Sequence, residues 1–194
     1  MKQRISQFAH ALVAHMGADD KAFVAKYLNA EEQEIFYAMH RVDQVHAVHV
    51  AHTAQRLAAE NLQAGKIQDV AATAPKETKQ QAGTDTALST VDLRLLTRCA
   101  LLHDVGRVKG DLDLMGKVWA VLLAHYLPDW SRRMADFGRI HFLYVYYHHA
   151  LLGATKLYAH GLRTEAQIIA RHHAPARPGD SVELQLLRAA DALN

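Results

Sequence analysis

Cysteine is almost absent from this chain: Cys99 is the only one in 194 residues. A single thiol excludes a disulfide framework and any CxxC zinc or redox site, and it removes the usual mark of an oxidising compartment. Proline is scarce too, with four residues, and alternating polar and apolar runs are few, so sheet has little support. No apolar run reaches membrane length. The longest, 118–127, contains His125 and is half the roughly 20 residues a span requires. His10 and His15 interrupt the N-terminal stretch, so no secretory segment is read there and a cytoplasmic protein is expected. Charge of one sign is lacking as well. With 22 Lys and Arg against 20 Asp and Glu, the net +2 carries no DNA-binding signature.

Apolar residues make up 50% of the chain and charged ones 22%, the balance of one soluble globular domain with a real core. Histidine is the outlier. Its count of 14 equals Phe, Tyr and Trp together.

The apolar spacing reads as helices throughout, an all-α fold. Ile5, Phe8, Leu12 and Met16 share one face of a first helix, and 23–28 suggests a short second one. Asn29 with Glu32 has the form of a capping box opening the next. Longer helices follow over 41–62, from 91 through the LLTRCALLHD segment, and over 111–126. After a turn at Pro128-Asp129, further helices are expected over 141–160, 164–173 and 182–194. Between them, 64–90 has no aromatic residue and is rich in Lys, Gln, Thr, Ala and Gly. It reads as a long mobile surface loop inserted into a single domain spanning 1–194.

Several helices place a His or Asp where a hydrophobe belongs. In 41–62, Val42, Val50, Thr53 and Leu57 lie within about 40° of one direction, with His46 in their midst and His49 and His52 turned to the flank. His103 follows Cys99 by four residues and Leu96 by seven, which puts adjacent Asp104 at the core's edge. Gly153, one turn beyond His149, leaves room for another backbone or a metal centre, and this favours His149 over His148 as the inward ring. Ile168, Ile169 and Leu187 precede His172, His173 and Asp191 by four. Buried acids and imidazoles are costly unless paired, and a metal satisfies them together. Nitrogen and oxygen donors without thiolate suit Fe, Mn, Zn or Co.

His46, then His103-Asp104 in LLHDVGR, then Asp191 in LLRAADALN resemble the HD superfamily of metal-dependent phosphohydrolases over 41–194. HALLGA and IIARHH resemble the H-x-x-x-G and HH motifs of the HDIG-type subset. APARPGDSVE stands where HD-GYP relatives carry GYP, so cyclic-di-GMP specificity is not implied. The resemblance implies a helical bundle, preceded by N-terminal helices over 1–40, with a metal site in its core. His46, His103, Asp104 and Asp191 would hold one ion. Asp104 would bridge to a second, completed by His149, His172 and His173. Arg107 stands where the family carries Lys in HD-x-G-K. It is the expected phosphate-binding residue, with Lys109 a second candidate, and Asp104 and Arg107 are the expected catalytic pair. The chain stops three residues after Asp191, on a helix end that metal binding would have to hold.

Two divalent ions are implied, Fe or Mn favoured, with Zn, Co, Ni and Mg open. Against two ligating Asp they leave a centre of charge about +2 that attracts phosphate. The implied activity is hydrolysis of a nucleotide or other phosphate ester by a metal-bound hydroxide. His125, His49 and His52 are open as general acids. A di-iron oxygenase and a non-enzymatic nucleotide-sensing module are the alternatives. The expected partner is a small nucleotide-like phosphate compound; no membrane is involved, and homo-oligomerisation is open.

Overall fold

Helix starts are written in short local signals. Asn29 accepts the Glu32 N–H at 2.9 Å while Glu32 accepts the Asn29 N–H at 3.0 Å, the reciprocal capping box expected there. Asp92 caps the next long helix through the Leu95 N–H, and Ser181 caps the last through the Leu184 N–H. The computed structural model describes residues 15–69, 89–110 and 114–194. Among them, α1 is Ala18–Tyr27, α2 Ala30–Tyr37, α3 Arg41–Gln63, α4 Leu93–Leu102 and α5 Leu114–Tyr126. They are followed by α6 Pro128–Asp136, α7 His141–Ala159, α8 Arg163–Ile169 and α9 Val182–Leu193. The fold is all-α, as expected. The helix expected over 5–16 lies outside the described residues except for exposed His15 and buried Met16, which precede α1 and are not helical.

Three expectations are corrected. Pro128-Asp129 does not turn the chain but opens α6, because proline at the first helical position loses no hydrogen bond and has a preset φ. The helix expected over 164–173 ends at Ile169, so His172 and His173 sit on turns beyond it. The stretch 64–90 is not loop throughout. Ile67–Asp69 (β1) and Ser89–Val91 (β2) pair in parallel, Ile67 with Ser89, and Val91 is buried. The residues between them, 70–88, lie outside the description.

Helix α3 is the spine, packed on α4 and α9. Its fully buried face is built from Ala47, Ala51, Ala54 and Ala58 with Val48 and Val50. Val42, Thr53 and Leu57 are only half-buried. The buried face therefore lies roughly a quarter turn from the expected stripe, which puts His46 at its border. Alanine contributes little to a hydrophobic stripe, yet it lets helices approach most closely, and here close approach decides the face. The main core joins these residues to Phe36, Met39, Leu96, Leu101, Leu102, Leu157, Ile169 and Leu187. A smaller core of Ala120, Ala135 and Leu143 holds α5 and α6 against the first half of α7.

Gly106 and Gly153 bring the turn after α4 onto α7. A Cβ on Gly106 would come within 2.0 Å of the His149 carbonyl oxygen, and one on Gly153 within 3.1 Å of the Gly106 nitrogen. The backbone expected to approach Gly153 is thus that of the segment following Asp104, and no side chain fits between them.

Candidate metal centre

His46 comes from the second turn of α3. His103 is the C-terminal cap of α4, with Asp104 on the turn behind it. His149 lies midway along α7, His172 and His173 follow α8, and Asp191 sits near the end of α9. The seven expected ligands meet as two adjoining groups. The ligand atoms of His46, His103 and Asp191 all lie within 4.8 Å of one another, and so do those of Asp104, His149, His172 and His173. Such spacing lets donors share one ion at bonds of about 2.0–2.2 Å. His46 Nε2 is 3.1 Å from Asp191 Oδ1, His149 Nε2 is 3.3 Å from Asp104 Oδ1, and His173 Nε2 is 2.9 Å from His149 Nε2. His103 Nε2, 3.7 Å from Asp191 Oδ1 and 3.6 Å from Asp104 Oδ2, lies between the groups.

Three of the histidines are oriented by one local device. His103 Nδ1 is 2.8 Å from Ala100 O, His149 Nδ1 is 2.9 Å from Tyr146 O, and His172 Nδ1 is 2.7 Å from Ile169 O. A carbonyl only accepts, so each Nδ1 carries the proton and each Nε2 turns its lone pair into the cluster. This is the tautomer a metal ligand needs. His103 Nε2, His172 Nε2 and Asp104 Oδ1 are buried there without a hydrogen-bond partner. Converging lone pairs beside a carboxylate call for a cation, and the nitrogen and oxygen donors fit a divalent metal. His103, Asp104, His149 and His172 are buried, whereas the His46, Asp191 and His173 side chains are 28%, 20% and 48% exposed. The cluster is open on that side.

Arg107 enters the cluster. Its Nη1 donates to Asp104 Oδ2 at 2.6 Å and its Nη2 to His149 Nε2 at 3.0 Å, while buried Asp43 lies 3.8 Å from Nη1. Lys109 is exposed and donates its backbone N–H to Ala38 O; among the described residues no side-chain contact ties it to the cluster. His148 pairs instead with Asp136 on α6 at 3.2 Å. His49, His52 and His125 are exposed and belong to neither group, and His52 stacks on Phe23 with ring centroids 4.2 Å apart. Trp119 and Trp130 are about half-exposed on α5 and α6. The end of α9 has protein anchors of its own: Asn194 Nδ2 donates to Thr53 Oγ1 at 3.0 Å, and His46 meets Asp191.

Asp180 escapes the sequence reading. Its carboxylate is gripped by Arg171 at 2.7 Å and Arg188 at 2.6 Å, and Arg188 Nη2 also donates to Arg171 O. Arg188 above all, with the Arg177 N–H, holds its carboxyl down at about 2. The connection carrying His172 and His173 is thereby fastened to α9, which carries Asp191. In sequence these charges look like a solvated surface, and only the adjacency of Arg171 to His172 hinted otherwise.

Burial and the two partner charges set the protonation of the cluster. Burial opposes the Asp104 charge, but Arg107 and the neighbouring imidazoles overcome it and hold its carboxyl well below the usual range. At Asp191, burial is likewise outweighed, chiefly by the His46 hydrogen bond. The same bond raises His46 in spite of its burial. Burial drives His172 from 6.5 down to about 3, assisted by His103 and His173. It also lowers His149, reinforced by Arg107, and His173.

The folded protein therefore binds fewer protons than the unfolded chain once pH falls below 6.5, and stability declines on acidification. His46 has the opposite sign, but its raised value places its window above 6.5, and the two carboxylates respond only below their ordinary 3.8. From pH 7 to 5, metal-free protein should lose about 2 kcal/mol from His172 alone. Urea unfolding in chelator checks this, and saturating divalent cation should move the loss to lower pH. Equal stability at pH 7 and 5 would show that these rings are not held neutral.

The HD domain family matches residues 44–194, a span that contains all seven clustered residues, and the chain belongs to that family. The family is a superfamily of metal-dependent phosphohydrolases. No match was found among curated proteins or among solved structures. Among the described residues, no helix is long and apolar enough to cross a membrane.

Proposed function

We propose that the protein is a metal-dependent phosphohydrolase of the HDIG kind, lacking GYP, that cleaves a nucleotide or another small phosphate ester at a binuclear centre. The supporting observation is the convergence of buried, unpartnered His103 Nε2, His172 Nε2 and Asp104 Oδ1 between two groups of three and four ligand-type residues. His46, His103 and Asp191 would hold one ion and His149, His172 and His173 the other, with Asp104 facing both groups. Two divalent ions there, Fe or Mn by preference, would lower the pKa of a water and screen the phosphoryl oxygens. In the hydrolysis this would support, the water oxygen bonds to phosphorus, the ester P–O bond breaks, and a proton from that water ends on the departing oxygen. Arg107 is the cation that binds the phosphate, its fork matching two phosphoryl oxygens. The open side at His46, Asp191 and His173 admits the substrate.

Metal content of protein purified anaerobically, without chelator or a polyhistidine tag, is the first test. Two Fe or Mn per chain, with release of phosphate from generic phosphoesters and no oxygen uptake, is the expected result. One ion per chain would leave a mononuclear hydrolase. Oxygen uptake without hydrolysis would replace the reading with that of a di-iron oxygenase. No ion after reconstitution would overturn the enzyme reading and leave a sensing module.

A further inference from the structure

We propose that Arg107 competes with the second cation for its ligands, so that the Asp104–His149–His172–His173 group binds metal more weakly than the His46–His103–Asp191 group. The inference rests on the binuclear reading above and goes beyond it by assigning unequal affinities and naming their cause. Arg107 Nη1 bonds Asp104 Oδ2 at 2.6 Å and Nη2 bonds His149 Nε2 at 3.0 Å. The two ends of one guanidinium thus engage two members of the same candidate ligand group.

The His149 bond uses the only lone pair its ring has. Since Nδ1 carries the proton toward Tyr146 O, the Nε2 lone pair that Arg107 Nη2 meets at 3.0 Å is the one a metal would require; His173 Nε2, 2.9 Å from the same nitrogen, is a member of the ligand group, so Arg107 is the competitor from outside it. At that nitrogen the two ligands are mutually exclusive. Asp104 is less exclusive, because its Oδ1 stays without a hydrogen bond while Oδ2 takes Arg107. In the other group no Arg or Lys bonds a ligand atom among the described residues: His46 and Asp191 bond each other, and His103 Nε2 has no partner. Buried Asp43, on α3 one turn before His46, lies 3.8 Å from Arg107 Nη1 and offers the guanidinium a carboxylate outside the ligand set.

Arginine in place of the family's lysine matters for this reason. A guanidinium is planar and bidentate and spans an oxygen and a ring nitrogen at once, whereas an ammonium is a point charge that engages one of them well. Arg107 also reaches a phosphate only after giving up these bonds, so loading of the second group and phosphate binding are linked through one side chain.

The test is a Mn²⁺ binding isotherm on the full chain at pH 7.5, with free Mn²⁺ followed by its solution EPR signal. Wild type should show one tight and one weak equivalent. Arg107→Met should tighten the weak equivalent by about 10-fold or more, the worth of a displaced charge-assisted bond, and Arg107→Lys should fall between. Should Arg107→Met fail to fold, since it leaves Asp104 without its cation, Arg107→Lys decides by the same sign. A merely structural role, in which Arg107 orients Asp104 and His149 for the metal, predicts weaker binding in both variants. Weaker or unchanged binding overturns the inference and leaves the binuclear reading intact. A wild-type isotherm with no bound Mn²⁺ overturns both.

Discussion

Asp104→Asn is expected to lower phosphoester hydrolysis by about 1000-fold and to remove metal from both groups of the cluster. Asp104 is the carboxylate whose two oxygens face different groups, Oδ1 at 3.3 Å from His149 Nε2 and Oδ2 at 3.6 Å from His103 Nε2. The amide keeps the size of the side chain but removes the charge and puts an NH2 donor in place of one of the two acceptor oxygens that Arg107 and a cation require. Arg107 loses its strongest partner as well, so the variant should also be less stable. Metal content, steady-state hydrolysis with metal in excess and far-UV circular dichroism separate loss of the centre from loss of the fold. Asp129→Asn, at an exposed acid on α6, is the control and should behave as wild type. Wild-type turnover by Asp104→Asn would remove Asp104 from the centre.

The second large effect lies away from the chemistry. Arg98→Met should destabilise the protein by about 3–5 kcal/mol, a large part of the 5–15 kcal/mol that holds a typical domain together. Arg98, on α4, pairs at 2.8 Å with Glu32 of α2 and at 2.8 Å with Glu165 of α8, and Nη1 also donates to Tyr27 O. All three charged side chains are largely buried. Burial by itself would raise the Glu32 carboxyl, and the bonds from Arg98 and the Asn29 N–H keep it below its ordinary value. Without Arg98, two acids are left in low dielectric with no cation between them, and three helices lose a shared anchor. The exposed Arg56–Glu60 pair on α3 provides the contrast, since Arg56→Ala should change stability by less than about 1 kcal/mol. Urea titrations at pH 7 measure both. A loss for Arg98→Met no larger than that for Arg56→Ala would show that the buried network contributes little.

Much of the site could be read before folding. His46, His103-Asp104, His149, His172-His173 and Asp191 were each legible because a polar residue interrupts a local apolar pattern, and their order carries the family resemblance. Gly153 separated His149 from His148 for a reason the structure repeats, the approach of Gly106. The face of α3 was misread because apolar weight was counted while the packed surface is alanine. The end of α8 was overrun because the apolar spacing continues to His173, although the backbone turns after Ile169 to bring buried His172 and exposed His173 to the cluster. The strands at 67–69 and 89–91 are too short to leave a period.

By itself the sequence determined the helical class, most helix starts and the identity of the candidate donors, since periodicity, caps and side-chain chemistry act within a few residues. Tertiary structure decided the division of seven donors into two groups and the partners of Arg98, Arg107 and Asp180. These choices depend on contacts between distant segments, such as His46 with Asp191, 145 positions apart. No local pattern encodes a distance across the core; packing of the helices sets it.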